Sequence, residues 1–190
     1  MLAYPMLSDK VATTVPSFNV SKGKELAARL FYEAYEEAVL IPDLLMIYTD
    51  GSKSDKGTAV AWTTEECGMT EGAKAFATPS SWSIVECETF TIIAALRDVH
   101  SEYSGMIIIF SNCIPAIMCI PQMEPEGESA GIWDVLTPLF NRFSAVRICW
   151  IPGHNGIAGN QMSDSEAKKA VGGVLHVRNW AGIVLGLGLL

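Results

Sequence analysis

The alternation of apolar and polar positions divides this chain into segments of two kinds. Leu44-Leu45-Met46-Ile47-Tyr48-Thr49 is an unbroken apolar run, the pattern of a strand buried on both faces, and it gives way to Asp50-Gly51-Ser52. That places Asp50 at the C-terminal end of a strand. Gly57 to Thr63 and Gly72 to Ala77 are two further runs, parted by the polar Thr64-Glu65-Glu66, and read as antiparallel strands meandering from the first. Met106 to Phe110, ending at Ser111-Asn112, and Val146 to Trp150 complete a set of five strands.

Helical spacing accounts for most of the remainder. Ser21 is a capping candidate for a helix with apolar residues at Leu26, Leu30, Phe31, Ala34 and Ala38, ended by Pro42. Pro79-Ser80-Ser81-Trp82-Ser83 supplies stop and cap signals before a helix from Ile84 to His100, and Ile132 to Phe143 and Asn160 to Val171 are two more. Strands and helices in this order predict an α/β fold, a five-stranded mixed sheet with helices on both faces. The expected organisation is an N-terminal extension with one helix over 1–43, a main domain over 44–172 and an apolar tail over 173–190.

Composition narrows the class. A chain of 190 residues, 49% hydrophobic and 18% charged, buries a core as one globular domain and is not disordered. The five cysteines, at 67, 87, 113, 119 and 149, are odd in number and form no Cys-x-x-Cys pair. They indicate neither a disulfide framework nor a structural zinc, and point to an intracellular setting, cytoplasm or nucleus. Pro5 and Pro16 break the N-terminal apolar residues, so no signal peptide is read there. Trp180 to Leu190 is uncharged, but its 11 residues fall short of the roughly 20 that a membrane-spanning helix needs. It reads as a packed or aggregation-prone tail, and no membrane partner is expected. The net charge of -8 argues against broad electrostatic capture of nucleic acid.

Three acids stand where acids are costly. Glu88 falls on the apolar stripe of Val85, Ile92, Ala95, Leu96 and Val99, so its charge faces the sheet. An ionised carboxylate buried there costs several kcal/mol unless a cation or donors compensate. Asp164 repeats the pattern ahead of Ala167 and Val171, and Asp50 joins from the first buried strand. Acids from separate elements, without basic neighbours, suit a hard cation such as Mg2+.

The segments Tyr48-Thr49-Asp50-Gly51-Ser52, Cys87-Glu88 before Ala94-Ala95-Leu96, Ile109-Phe110-Ser111-Asn112, and Trp150-Ile151-Pro152-Gly153-His154-Asn155-Gly156-Ile157-Ala158-Gly159-Asn160 with Asp164 and Ala167-Lys168 occur in that order. Together they resemble type 1 ribonuclease H, in particular the domain carried by LINE-type (non-LTR) retroelement reverse transcriptases, especially fungal ones. The resemblance covers about Leu44 to Ala170. It implies a hydrolase, an endonuclease that cuts the RNA strand of an RNA-DNA hybrid, and a chain that is part of, or derived from, a reverse-transcriptase polyprotein.

By the same resemblance Asp50, Glu88, Asn112 and Asp164 would hold two Mg2+ ions about 4 Å apart, with Mn2+ as a substitute, one activating water and one stabilising the leaving 3' oxygen. His154, on the loop from Gly153 to Gly159, would assist proton transfer or product release. Ser81 and Ser83 fall where the family contacts phosphate beside a helix N-terminus, and Gly51, Ser52 and Lys53 would border the substrate backbone, with Lys56 nearby. Hybrid recognition would rest on shape and 2'-hydroxyl contacts.

Two features depart from that family. Asn112 stands where the family has Asp, keeping a carbonyl oxygen but losing a negative charge, so metal affinity and turnover should fall. The loop from Pro121 to Ser129, with Glu124, Glu126 and Glu128, stands where some cellular members carry a basic substrate-binding extension, and it should weaken hybrid binding. A second reading is therefore a catalytically inactive ribonuclease H-like module that binds nucleic acid or a protein. A proofreading-type exonuclease would need Asp-x-Glu at Asp50, and a transposase or integrase would need Glu in place of Asp164.

Overall fold

The computed structural model describes residues 11–14, 20–120 and 130–173. The acidic loop from Pro121 to Ser129 and the apolar tail from Trp180 to Leu190 lie outside these residues. The elements are β1 (Val11–Thr14), α1 (Val20–Ala38), β2 (Leu44–Ser54), β3 (Gly57–Glu66), β4 (Met69–Thr78), α2 (Ile84–Asp98), β5 (Met106–Ser111), α3 (Ile114–Cys119), α4 (Ala130–Arg142), β6 (Ala145–Trp150) and α5 (Ala158–Ala170). Among the described residues no helix is long and apolar enough to cross a membrane.

The five expected strands are β2 to β6, and they form one mixed sheet. β2, β3 and β4 run as an antiparallel meander, while β5 lies parallel to β2 and β6 parallel to β5. A sixth strand, β1, which no apolar pattern announced, pairs parallel with β6 and gives the order β1-β6-β5-β2-β3-β4. Helical crossovers between the parallel strands follow from the distance such a connection must span.

Alternation along β2 sets the layers. Leu45 and Ile47 face the larger core, built with α2, with Leu136 and Phe140 of α4 and with Phe143 just beyond it. Leu44, Met46 and Tyr48 face a second cluster with Phe110, Ile151 and Ile157, on which Phe31, Tyr35 and Ala38 of α1 pack. Both faces of β2 are covered, which is why its sequence reads as a continuous apolar run.

Several boundaries differ from the sequence reading for identifiable reasons. β2 does not stop at Asp50; it continues to Ser54 because β3 pairs with it as far as Ser54↔Gly57. The polar Thr64-Glu65-Glu66 belongs to β3, and the turn is made by Cys67 and Gly68, both at positive φ. Val20 starts α1, so Ser21 sits inside the helix instead of capping it. The helix is rotated in part from its expected face: Phe31 and Ala38 pack on the sheet as expected, but Leu26 and Leu30 are 48% and 49% exposed, and Tyr35 joins the buried side. α2 ends at Asp98, two residues before His100, and its middle turns are buried on all sides.

Candidate active site

Asp50 owes its place to a change of partners along β2. Parallel pairing with β5 ends at Thr49↔Ser111, whereas antiparallel pairing with β3 runs on through Asp50↔Ala61. Asp50 is the first residue past the end of β5, mid-strand in β2, where a gap opens beside the sheet. It is buried, on the Tyr48 face.

Glu88 reaches the same gap from α2. Gly51 makes this possible: a Cβ at that position would stand 3.1 Å from Cys87 Cβ and 3.3 Å from Glu88 Cγ and Cδ, so the glycine lets the helix lie this close without displacing its neighbours. Ser83 fixes the start of α2 with a capping box, its hydroxyl accepting from the Glu86 amide at 3.2 Å while the Glu86 side chain accepts from the Ser83 backbone amide. Glu88 is 3% exposed, and its Oε2 has no hydrogen-bond partner. Burial first, and then the charge of Asp50, raise its pKa well above the usual carboxylate range against the opposing Gly51 amide.

α5 brings the third acid. Its Ser163 hydroxyl donates to the Tyr48 carbonyl at 2.8 Å and lies 2.9 Å from the Thr63 hydroxyl, and Gly159 admits the Tyr48 ring so closely that a Cβ would sit 2.5 Å from Cε2. This docking turns Asp164, the neighbour of Ser163, toward Asp50. Burial, and then Asp164, push the Asp50 carboxyl up to about 7, against the lowering effects of the Asn112 amide and Lys168. Asp164 itself has a basic neighbour, contrary to the sequence reading: Lys168 Nζ is 2.7 Å from its Oδ2. The i,i+4 spacing of the two residues carried that signal.

Asn112 follows β5 directly and donates from Nδ2 to Asp50 Oδ1 at 3.1 Å. Its backbone carbonyl accepts from Trp150 Nε1 at 3.2 Å, and a Cβ on Gly153 would come within 3.0 Å of Nδ2, so the residue is held from three sides. These contacts from Trp150 and Gly153 were not foreseen from sequence. His154 adopts φ +59, its side chain is 71% exposed, and its Nδ1 lies 3.9 Å from Asp164 Oδ2.

The structure thus gathers Asp50, Glu88, Asn112, Asp164 and His154 at one end of the sheet. The expected phosphate-contacting residues form a neighbouring patch instead. Lys53 Nζ donates to the Trp82 carbonyl at 2.7 Å, and Ser81 and Ser83 are exposed around the start of α2. Ile84, the first residue of that helix, lines the same cleft as Glu88, Asn112 and His154, which joins the patch to the site.

The donor set fits a hard divalent cation. Two buried carboxyls with raised pKa values and an orphaned carboxylate oxygen are what a bound cation would relieve. Among the described residues, however, no three histidine, cysteine, aspartate or glutamate side chains gather closely enough to hold a metal by themselves. Asn112 takes the place of one acid, and Lys168 engages another.

The chain is similar in sequence to known proteins. The chain is 27% identical over 124 residues to the Pol polyprotein of equine infectious anemia virus, in isolates 1369 and CL22, a match covering 65% of this chain and 10% of each relative. It therefore spans about a tenth of the length of the curated relatives it matches. The family model described as RNase H matches residues 42–172, which takes in every element from β2 to α5 and leaves out β1 and α1. On that match the chain belongs to the RNase H family.

Proposed function

We propose that this chain hydrolyses the RNA strand of RNA-DNA hybrids with the aid of two divalent cations, Mg2+ or Mn2+. The observation that carries the reading is the convergence of buried Asp50 and Glu88, the latter with an unpartnered oxygen, beside Asp164 and Asn112. Asp50, Glu88, Asn112 and Asp164 would hold the cations, which when bound supply an activated water and stabilise the charge on the leaving oxygen. His154, exposed at the rim, stands where it can carry a proton between the site and solvent. Gly51, Ser52, Lys53, Ser81 and Ser83 would border the sugar-phosphate backbone, with Lys53 also tying the β2–β3 hairpin to the lead-in of α2. The motif resemblance supports an origin in a LINE-type retroelement of fungal character, and the match to viral Pol polyproteins supports descent from a reverse-transcriptase polyprotein.

The test is cleavage of an end-labelled hybrid with Mg2+ or Mn2+, using Asp50→Asn as the inactive control. Internal cuts in the RNA strand that vanish in the control are expected; equal cutting by both proteins would overturn the assignment.

A second reading, a hybrid- or protein-binding module without catalysis, is favoured by one specific contact. Asn112 turns a donor, not an oxygen, toward Asp50. Hybrid binding in Ca2+ together with no cleavage in Mg2+ or Mn2+, even after Asn112→Asp, would select this reading.

A further inference from the structure

The helix α1 precedes the segment that matches the RNase H model, yet it reaches the site. Lys24 lines the cleft of about 450 Å³ that also contains Glu88, Asn112, Trp150 and His154. Further along the helix, the Tyr32 hydroxyl donates to the Gly156 carbonyl at 2.7 Å, inside the loop that carries His154. The side chains around Tyr32 are anchored in the fold. The Phe31 ring packs edge-on against Phe110 at 5.2 Å and Tyr48 at 6.4 Å, and the Tyr35 hydroxyl donates to Glu65 Oε1 on β3.

The loop needs such a tether. Its ends are fixed by buried Ile151 and Ile157 and by backbone bonds from Ile151 to Ser111 and from Gln161 to Ile157. Between them His154 and Gly156 both take positive φ, +59 and +84, and a Cβ on Gly156 would meet nothing within 4 Å. At Gly156 the loop therefore faces open space, and a hydrogen bond to its backbone carbonyl restricts it there.

We propose that Tyr32 is a positioning residue, holding the His154 loop against the site from a helix outside the catalytic domain. This rests on the reading that His154 serves hybrid hydrolysis, but the tether itself is testable without it. In the full chain, Tyr32→Phe keeps the ring and deletes only the hydroxyl. Amide hydrogen exchange on metal-free protein should then accelerate about three- to tenfold at residues 153–157, the effect of one exposed hydrogen bond, with β2 amides unchanged. In an Asn112→Asp background, kcat on a hybrid should fall about three- to tenfold with KM unchanged, and Tyr32→Phe should add nothing once His154→Ala is present.

Unchanged exchange in the loop would overturn the proposal, as would equal acceleration in the loop and in β2, which marks a general stabiliser. An undiminished Tyr32→Phe effect on kcat in the His154→Ala protein would overturn it too. If the Asn112→Asp chain cuts no hybrid, the functional reading fails while the exchange measurement still decides the tether.

Discussion

Asn112 donates its side-chain amide to Oδ1 of Asp50 across 3.1 Å, closing the site with a hydrogen bond where an acid would instead face an acid. The bond neutralises no charge, but it satisfies one oxygen of a buried carboxyl that sits close to Asp164 and Glu88. With one carboxylate fewer, the cluster carries less charge repulsion than four acids would impose on it.

Asn112→Asp should therefore act in opposite directions on stability and on turnover. Without metal, the added charge should lower the thermal midpoint; Mg2+ should restore it, giving a larger metal-dependent shift than the parent shows. The cleavage rate should rise at least about tenfold, equivalent to about 1.4 kcal/mol of transition-state stabilisation. Scanning calorimetry with EDTA and with Mg2+, beside a hybrid cleavage assay, measures both; a variant midpoint indifferent to metal would remove cation ligation by the introduced carboxylate from the account.

The buried Asp50 makes metal-free stability depend on pH in a defined sense. Its carboxyl titrates near pH 3.8 in an open chain and at about 7 in the fold, so between these values the folded state keeps a proton that the unfolded state has released. Stability is thus greatest at low pH with respect to this group and declines as pH rises through that window; Glu88, shifted in the same direction, adds to the trend. Asp50→Asn should abolish cleavage yet raise the unfolding free energy at about pH 8, by on the order of a few kcal/mol at most, and with it the urea midpoint. Urea titrations in EDTA from acid to mildly alkaline pH check the sign, and a parent protein that gains stability across the window would contradict it.

Gly51→Ala tests the close approach of α2 to β2. The added methyl would press on Cys87 Cβ at 3.1 Å and on Glu88 at 3.3 Å, so the neighbours must yield by a few tenths of an ångström. A displaced Glu88 should reduce cleavage by about tenfold or more, since small misplacements at a reacting centre are costly. Circular dichroism should show the fold retained, and full activity in a folded variant would argue against a role for Glu88.

Gly159→Ala should be a stability defect instead. Its Cβ would fall 2.5 Å from Cγ and Cε2 of Tyr48, and that ring is buried against Phe110 at a centroid distance of 5.1 Å. Overpacking of this kind costs on the order of 1–3 kcal/mol or more, readable as a lower denaturant midpoint. An unchanged midpoint would mean that α5 can slide along the sheet without cost.

The sequence alone determined the elements that carry their own local pattern. The apolar run into Tyr48-Thr49-Asp50, the Ser83 capping signal and the acid within the buried part of α2 were legible because alternation, capping and burial act over a few neighbouring residues. Tertiary structure decided the rest. The hydrogen bonding of β3 carried β2 past Asp50, β1 gained strand form only by pairing with β6, and the aromatic residues of α1 chose its buried face over Leu26 and Leu30. The direction of the Asn112 amide toward Asp50, the capture of Asp164 by Lys168 and the hold of Tyr32 on Gly156 are likewise contacts among side chains and backbone groups brought together by folding. Such contacts depend on helix rotation and strand register, which are set when surfaces distant in sequence bury one another, and no local spacing encodes them.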